Sequence, residues 1–362
     1  MTFPSSGIAI YAPTFTIKLG GKEIPTEDIT DVEVDEQIEN SGMCTISFND
    51  MLDMKKQKFR WLDDARIQIG TRIEISFSYA QGSGNASSSG GNTLLFIGSL
   101  HAITPNFDPG GSAKLKIRGY DLSCNLMRSR KGQGIYNKKS YSEIVGEIAE
   151  KYGLKQDQIE STSPASESVS RQRDEDENED DYKFVKRLAS KINYEFFVRE
   201  ESLYFRKPKD SDDAKFTFTN GINIVSFSVE ANTSAYVSEV QTNLWSSNQK
   251  EKSPQTAKQE EVGNSFGLDL TSQQGKKIIL ENVNVSSAEE ANARAVAELK
   301  KRNKKLITGN LESIGNPSIR PGMTVEIKKV GDRFSGTYYV EKTKHSINQK
   351  GYSTTLTLRR CK

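Results

Sequence analysis

The sequence predicts a β-rich α+β protein in which two antiparallel β-barrel domains flank a helix-containing insertion. Three observations carry that prediction. Apolar and polar residues alternate with period two through the first third of the chain. The period then lengthens to that of a helix behind a serine–glutamate capping box at Ser140–Glu143, and the last third returns to period two. Strands expose alternate side chains to opposite faces, whereas helices repeat every 3.6 residues, so the change of period marks a change of element.

In the first block, residues 1–125, the expected strands are Thr14–Leu19, Ile29–Ile38, Met43–Phe48, Arg72–Tyr79, Leu94–Ile103 and Lys114–Tyr120. Gly20-Gly21 reads as a turn, and Gly82–Asn92 as a flexible hairpin loop with too little apolar surface to fold. In the insertion, residues 126–230, Ser140 caps a helix whose apolar face is Ile144, Val145, Ile148, Ala149 and Tyr152. Gly153 supplies the left-handed stop. The acidic run Asp174–Asp181 leads into a second helix with Phe184, Val185, Leu188, Ala189 and Ile192 on one face. Acid at its start and Lys/Arg further on complement the helix dipole. Tyr194–Val198 and Leu203–Phe205 then read as a short hairpin.

In the last block, residues 231–362, Val237–Leu244 reads as a strand and Ser246–Lys277 as a polar, partly mobile stretch. A capping box at Ser287–Glu290 opens a helix with Ala288, Ala291, Ala295 and Leu299 on one face and a basic end. Leu306–Ile314, Thr324–Val330, Gly336–Thr343 and Tyr352–Arg359 close the block as strands. Two β-rich blocks of similar size suggest side-by-side packing, although no internal sequence repeat is evident.

Composition narrows the function classes. The 362 residues carry 50 basic and 48 acidic side chains, a formal net charge of +2 that gives no electrostatic case for wrapping nucleic acid. The hydrophobic fraction of 35% is low for a compact chain and the charged fraction is 27%, which implies long polar loops or a surface committed to wet contacts. Cys44, Cys124 and Cys361 are odd in number, far apart and without CxxC spacing. They read as free thiols in a reducing compartment rather than a disulfide framework or a zinc site. The N-terminal residues lack a basic region followed by an apolar one, so no signal peptide is expected. No run of about 18 apolar residues is present, so no membrane insertion is expected.

Candidate chemistry is sparse. A nucleophilic site would have to use one of two histidines, His101 or His345, and neither stands in a nucleophile motif. Both read as structural or surface residues on strands. The acidic run lacks the spaced Asp/Asn/Gly pattern of a calcium loop and reads as a solvated helix lead-in, with cation binding as the alternative. Paired carboxylates for glycoside hydrolysis are not ruled out by pattern. The basic, Gly-rich Arg128–Gly134 does not match phosphate-loop spacing and reads as a junction or subunit contact. The cluster Lys300–Lys305 has a sufficient local explanation at a helix C-terminus. No catalytic, metal-ligating or cofactor-binding residue is assigned.

Two segments carry a resemblance. The first is Ser140–Leu154 with Asn178–Lys207; the second is Ala288–Arg302 with Gly315–Arg360, including the turn Arg320-Pro-Gly322 and the strand entry Phe334–Val340. Together they resemble the phage late control gene D family, which includes baseplate hub proteins and the N-terminal hub region of VgrG spikes. The match runs from about residue 130 onward; the first 125 residues fit the family's opening barrel by pattern only. The resemblance implies a non-enzymatic structural hub of a contractile-tail or injection-system baseplate. It implies a homotrimeric ring that adapts a hexameric inner tube to a trimeric spike. The implied partners are a separate spike protein, the inner tube protein and baseplate wedge proteins, with no nucleic acid and no cofactor. The chain stops at Lys362 without the OB-fold and needle of VgrG, which places the spike on another polypeptide. The implied localisation is cytoplasmic during assembly, then a phage tail or extracellular injection particle. The rivals are a phage-carried cell-wall hydrolase, disfavoured by scarce His, and a carbohydrate-binding tail module, disfavoured because Trp61 and Trp245 are the only tryptophans.

Overall fold

The computed structural model describes residues 12–80, 92–107, 112–128, 135–137, 139–163, 169–170, 173–174, 177–246, 251–258, 275–280 and 288–361. The Gly/Ser-rich stretch 82–91, the basic stretch 129–134, most of the polar stretch 247–274 and the capping residue Ser287 lie outside the described residues.

The first block contributes β1 (Ala12–Leu19), β2 (Ile29–Gln37), β3 (Met43–Asp53), β4 (Arg72–Ala80), β5 (Thr93–Phe107) and β6 (Ser112–Asp121). All six expected strands are present, several of them longer than the alternation alone delimits. Their inward residues, among them Ile17, Val32, Ile46, Ile75, Phe77 and Ile117, are buried in one core.

The insertion contributes α1 (Tyr141–Lys151), β7 (Lys155–Ile159), α2 (Asp181–Lys191), β8 (Glu195–Arg199) and β9 (Ser202–Arg206). The Ser140–Glu143 box forms as expected: Ser140 Oγ accepts from Glu143 N at 3.2 Å and the Glu143 carboxylate accepts from Ser140 N at 2.7 Å. Gly153 takes φ +67° and ends α1, because only a residue without Cβ adopts that conformation freely. The apolar faces of α1 and α2 close over β8 and β9 around Val145, Phe184, Leu188, Phe196 and Phe205.

The end of the 126–230 stretch contributes β10 (Phe216–Thr219) and β11 (Ile224–Ala231), which pair with strands of the last block; that block contributes β12 (Val237–Ser246), β13 (Glu251–Lys258), β14 (Lys276–Leu280), α3 (Ala288–Asn303), β15 (Ile307–Ile314), β16 (Thr324–Lys328), β17 (Gly336–Asn348) and β18 (Gly351–Arg360). Strands β12, β13 and β14 form a separate small sheet. Helix α3 packs on it through Ala295 and Leu299 against Val237, Val240 and Ala257. Asn303 ends α3 by pairing both ways with the backbone of Val237, at 3.0 and 2.8 Å.

The expectation of two closed barrels requires a correction. Among the described residues the long strands form one continuous sheet in the order β11-β15-β18-β17-β2-β3-β6-β5-β4-β1, and no ladder closes either end of it. The reason lies at β2. The edge that would meet β1 in a barrel is paired instead with β17, in the register Lys342↔Gln37 through Asn348↔Asp31. Strand β17 is long enough to serve two partners along one edge. Its first residues pair with β16 (Thr324↔Tyr339) and its later ones with β2, while its other edge pairs with β18. The C-terminal hairpin thereby inserts into the first core, where Ile347 and Tyr352 join the buried cluster and the Tyr352 ring meets Phe77 edge-on at 5.1 Å.

Candidate assembly surfaces

The described residues divide into parts that are held rigid and parts that are left open. The rigid part is a three-way junction at the turn Arg320-Pro321-Gly322. Gly322 takes φ +82°, as a Pro-Gly turn requires, and a Cβ there would lie 2.5 Å from Arg206 Nη2. Arg320 reaches into the first block, donating to Glu36 on β2 at 2.8 Å and to the Leu94 and Leu95 carbonyls at 2.9 and 3.1 Å. From the insertion, Arg199 donates to the Pro321 carbonyl at 2.6 Å and Arg206 to the Gly322 carbonyl at 2.9 Å. Tyr339 on β17 donates to Glu195 on β8 at 2.7 Å. Burial opposes ionisation of Glu36, but Arg320 and Arg199 outweigh it and hold the carboxyl below its usual range. Three segments distant in sequence therefore meet through charge-assisted hydrogen bonds sealed from water.

The open parts are strand edges and apolar side chains. Strand β11 pairs only with β15 among the described residues, so its outer edge is unpaired there. Ile222, Val225 and Ile314 stand exposed around that edge. At the ends of the paired strands β3 and β5, Met51, Met54 and Phe107 are exposed, with the Phe59 ring 5.5 Å from Phe107. Unpaired edges beside apolar side chains are the geometry by which one β protein adds to another.

The residues weighed for chemistry take structural places. His345 is fully buried. Its Nε2 lies 3.0 Å from the Ile319 carbonyl, which can only accept, so Nε2 carries the proton and Nδ1 accepts from Tyr352 Oη at 2.9 Å. Burial pushes its pKa down to about 4. His101 is part-buried, and its Nδ1 lies 2.7 Å from the Ser99 carbonyl. The spacing of the sequence gives no partner for it, yet the fold brings Cys124 Sγ to 3.5 Å from His101 Nε2. The pairing of β5 with β6 and the 3-10 turn Leu122–Arg128 cause that approach, and no local motif signals it.

The end of the acidic run is committed to the fold. Asp180 caps α2 by accepting from Lys183 N at 2.7 Å, Glu179 pairs with Arg187 at 2.8 Å, and buried Asp181 is held by Lys151 and Tyr152 at 2.5 Å each. Among the described residues no group of three His, Cys, Asp or Glu side chains is placed to hold a metal ion. Trp61 is buried against Phe48 and donates to Asp28 at 3.0 Å, so it offers no exposed platform. The side chain of Trp245 lies outside the described residues.

This arrangement is shared along nearly its full length with tail proteins of phages and with a component of a bacterial injection machine. The 43 kDa tail protein of prophage MuSo2 from Shewanella oneidensis superposes with a TM-score of 0.73 at 13% identity, covering 96% of this chain and 98% of that one. A tail protein from Neisseria meningitidis gives 0.70 at 14% identity, covering 97% of each chain. A component of the E. coli type VI secretion system gives 0.58 at 14% identity, covering 94% of this chain and 76% of that one. The tail-protein and injection-machine resemblance read from Ser140–Arg360 is borne out in the fold. The chain belongs to the Alg8 N-terminal domain family, whose model matches residues 10–349. A comparison with curated proteins gives no match.

Proposed function

We propose that this chain is the structural hub of a contractile-tail or injection-system baseplate, of the kind found in the phage late control gene D family. Three copies form a ring, and each copy contributes two β units, one from residues 1–125 and one from residues 231–362. The helical part of the insertion, residues 126–230, buttresses the ring from outside and meets wedge proteins. Six similar β surfaces then face a hexameric inner tube, and the threefold ring faces a trimeric spike. The particle assembles in the cytoplasm and acts as a phage tail or extracellular injection particle. Function lies in surfaces, with no catalytic residue.

The observation that supports this reading best is the β2–β17 seam, which joins two β-rich blocks into one sheet within one subunit. A ring of three such subunits offers six β units only if the two in each subunit keep a fixed relation, and the seam with the Arg320 junction fixes it. Closing the ring requires a head-to-tail cyclic contact, which the unpaired β11 edge and the exposed Ile222, Val225 and Ile314 are suited to make. An obligate interface of this kind buries more than about 2,000 Å². Mass photometry of the purified chain, alone and with its spike protein, tests the reading. A species of three chain masses is expected; a strict monomer under both conditions overturns it.

A further inference from the structure

A cleft of about 900 Å³ opens where the three blocks meet, and none of Ile222, Val225 and Ile314 lines it. Residues 37–40 after β2, the C-terminal end of α2, the C-terminal half of α3 and part of β17 bound it. Its charge is lopsided: eight basic side chains line it against four carboxylates. The carboxylates are already committed. Glu195 accepts from Tyr339 at 2.7 Å, Asp210 and Glu341 pair with Arg359 at 3.0 and 3.2 Å, and Glu39 lies 3.5 Å from Lys304.

The lysines are less consumed. Lys186 donates to the Glu39 carbonyl at 2.6 Å and Lys301 to Ser190 Oγ at 2.9 Å, so neither charge is neutralised by its contact. Among the described residues, Lys207, Lys300 and Lys305 are exposed and their ammonium groups form no ion pair, although, against the effect of burial, Lys305 and Lys186 join Lys304 in holding the Glu39 carboxyl below its usual range. The basic end of α3 is explained by the helix dipole as a local matter. The dipole does not explain why Lys186 of α2 and Lys207 beyond β9 face the same opening from other parts of the chain.

We infer that this cleft binds an acidic peptide segment of a partner protein, one that carries apolar side chains between its carboxylates. Charge complementarity selects the acidic character. Half-buried Ile192, Tyr194 and Val296 supply apolar wall for the intervening side chains. The volume is at the upper end of the range of about 300–1,000 Å³ for binding clefts and suits a short segment rather than a whole domain.

Nucleic acid fits less well. Base stacking needs exposed aromatic faces, and here Phe196 and Tyr339 are buried and Tyr194 is half-buried. Arginine forks dominate phosphate and base recognition, and the only arginine in the lining, Arg359, is held by two carboxylates. Because all three blocks contribute to the walls, a bound segment would bridge them and report on their relative position.

The test uses the full chain and a fluorescein-labelled peptide of about eight residues, rich in glutamate with interspersed leucines, read by fluorescence anisotropy. Binding is expected at low salt and should weaken several-fold as ionic strength rises from about 0.05 to about 0.3 M. The charge-reversed variant Lys300→Glu/Lys301→Glu/Lys305→Glu should bind at least about tenfold more weakly. The charge-keeping variant with arginine at the same three positions should retain binding. A benzophenone-bearing version of the peptide, cross-linked to the unmodified chain and mapped by mass spectrometry, covers the case in which the reversed variant does not fold. No binding by the unmodified chain, equal binding by the folded charge-reversed variant, cross-links outside the cleft, or tighter binding of a single-stranded oligonucleotide of equal charge would each overturn the inference. Mass photometry on the same samples reports ring formation separately, so the two readings fail independently.

Discussion

Arg320 and Glu36 stand 284 positions apart in the sequence, and the Nη2 of one lies 2.8 Å from the Oε1 of the other, both side chains buried. Removing one member strands the other's charge. Arg320→Met leaves Glu36 with Arg199 at 3.6 Å as its remaining cation and deprives the Leu94 and Leu95 carbonyls of their donor. The expected cost is about 3–5 kcal/mol, read as a lower urea midpoint. The double variant Arg320→Met/Glu36→Leu should recover only part of the loss, because the stranded carboxylate is gone while Arg199 loses its ion-pair partner and keeps only its bond to the Pro321 carbonyl. A single variant as stable as the unmodified chain would remove the junction from the account of rigidity.

Acid should weaken the fold through His345. Its pKa is pushed down to about 4 from an ordinary 6.5 by burial, with Arg320 adding to the effect and Glu36 opposing it. Below about pH 6.5 the unfolded chain takes up a proton that the folded chain refuses until about pH 4. Stability is therefore full above that window and falls as pH drops through it, by about 3 kcal/mol in total. In denaturation curves between about pH 7 and pH 5 the unmodified chain should lose more stability, or gain less, than His345→Gln, because Asp121, with its pKa raised to about 7 by burial, acts in the opposite direction equally in both proteins. Parallel curves for both proteins would locate the acid sensitivity elsewhere.

Cys44 and Cys124 should differ in reactivity. Burial pushes the Cys44 thiol up to about 12, so it carries almost no thiolate near neutral pH and has no path to reagent. Cys124 is only part-buried and faces His101 Nε2 at 3.5 Å. Maleimide labelling of the native chain, followed by peptide mapping, should modify Cys124 and spare Cys44. His101→Ala should slow the Cys124 reaction. Labelling of Cys44 at a comparable rate would mean that the first core opens readily.

Gly315 should not tolerate a side chain. A Cβ there would sit 2.1 Å from Cγ of the Tyr352 ring, which packs in the first core and holds His345. Gly315→Ala is expected to cost about 1–3 kcal/mol through overpacking, seen as a lower melting temperature. It should also blunt the His345 pH effect, because the ring that shields the imidazole must move. An unchanged melting temperature would show that the Tyr352 ring can shift without loss.

The elements were legible where local chemistry decides them. The Ser140–Glu143 box, the stop at Gly153 and the buried face Phe184–Ala189 can be read directly, because capping and helical spacing act within a few residues. Strand β7, with the sequence Lys155–Ile159, has no apolar alternation and forms only because it lies alongside β9. Strand β10 likewise depends on parallel pairing with β16, more than 100 positions later. The turn at Arg320–Gly322 is evident from Pro-Gly chemistry, but nothing near it in sequence names Glu36 as its partner. The same holds for His101 and Cys124, and for the lysines that share a cleft while lying on separate elements. Long-range register is set by burial and by the pairing of edges, and one sequence does not specify it locally.

The β2–β17 seam also has a temporal consequence. Strand β2 is made early and β17 late, so while the chain is being synthesised one edge of β2 stays bare until residues 342–348 emerge. The N-terminal strands can collapse before then, but with a reactive flank that could recruit a neighbouring nascent chain. A ribosome-bound chain is thus safest when isolated from its siblings, and translation that stalls before β17 would yield fragments prone to sticking together.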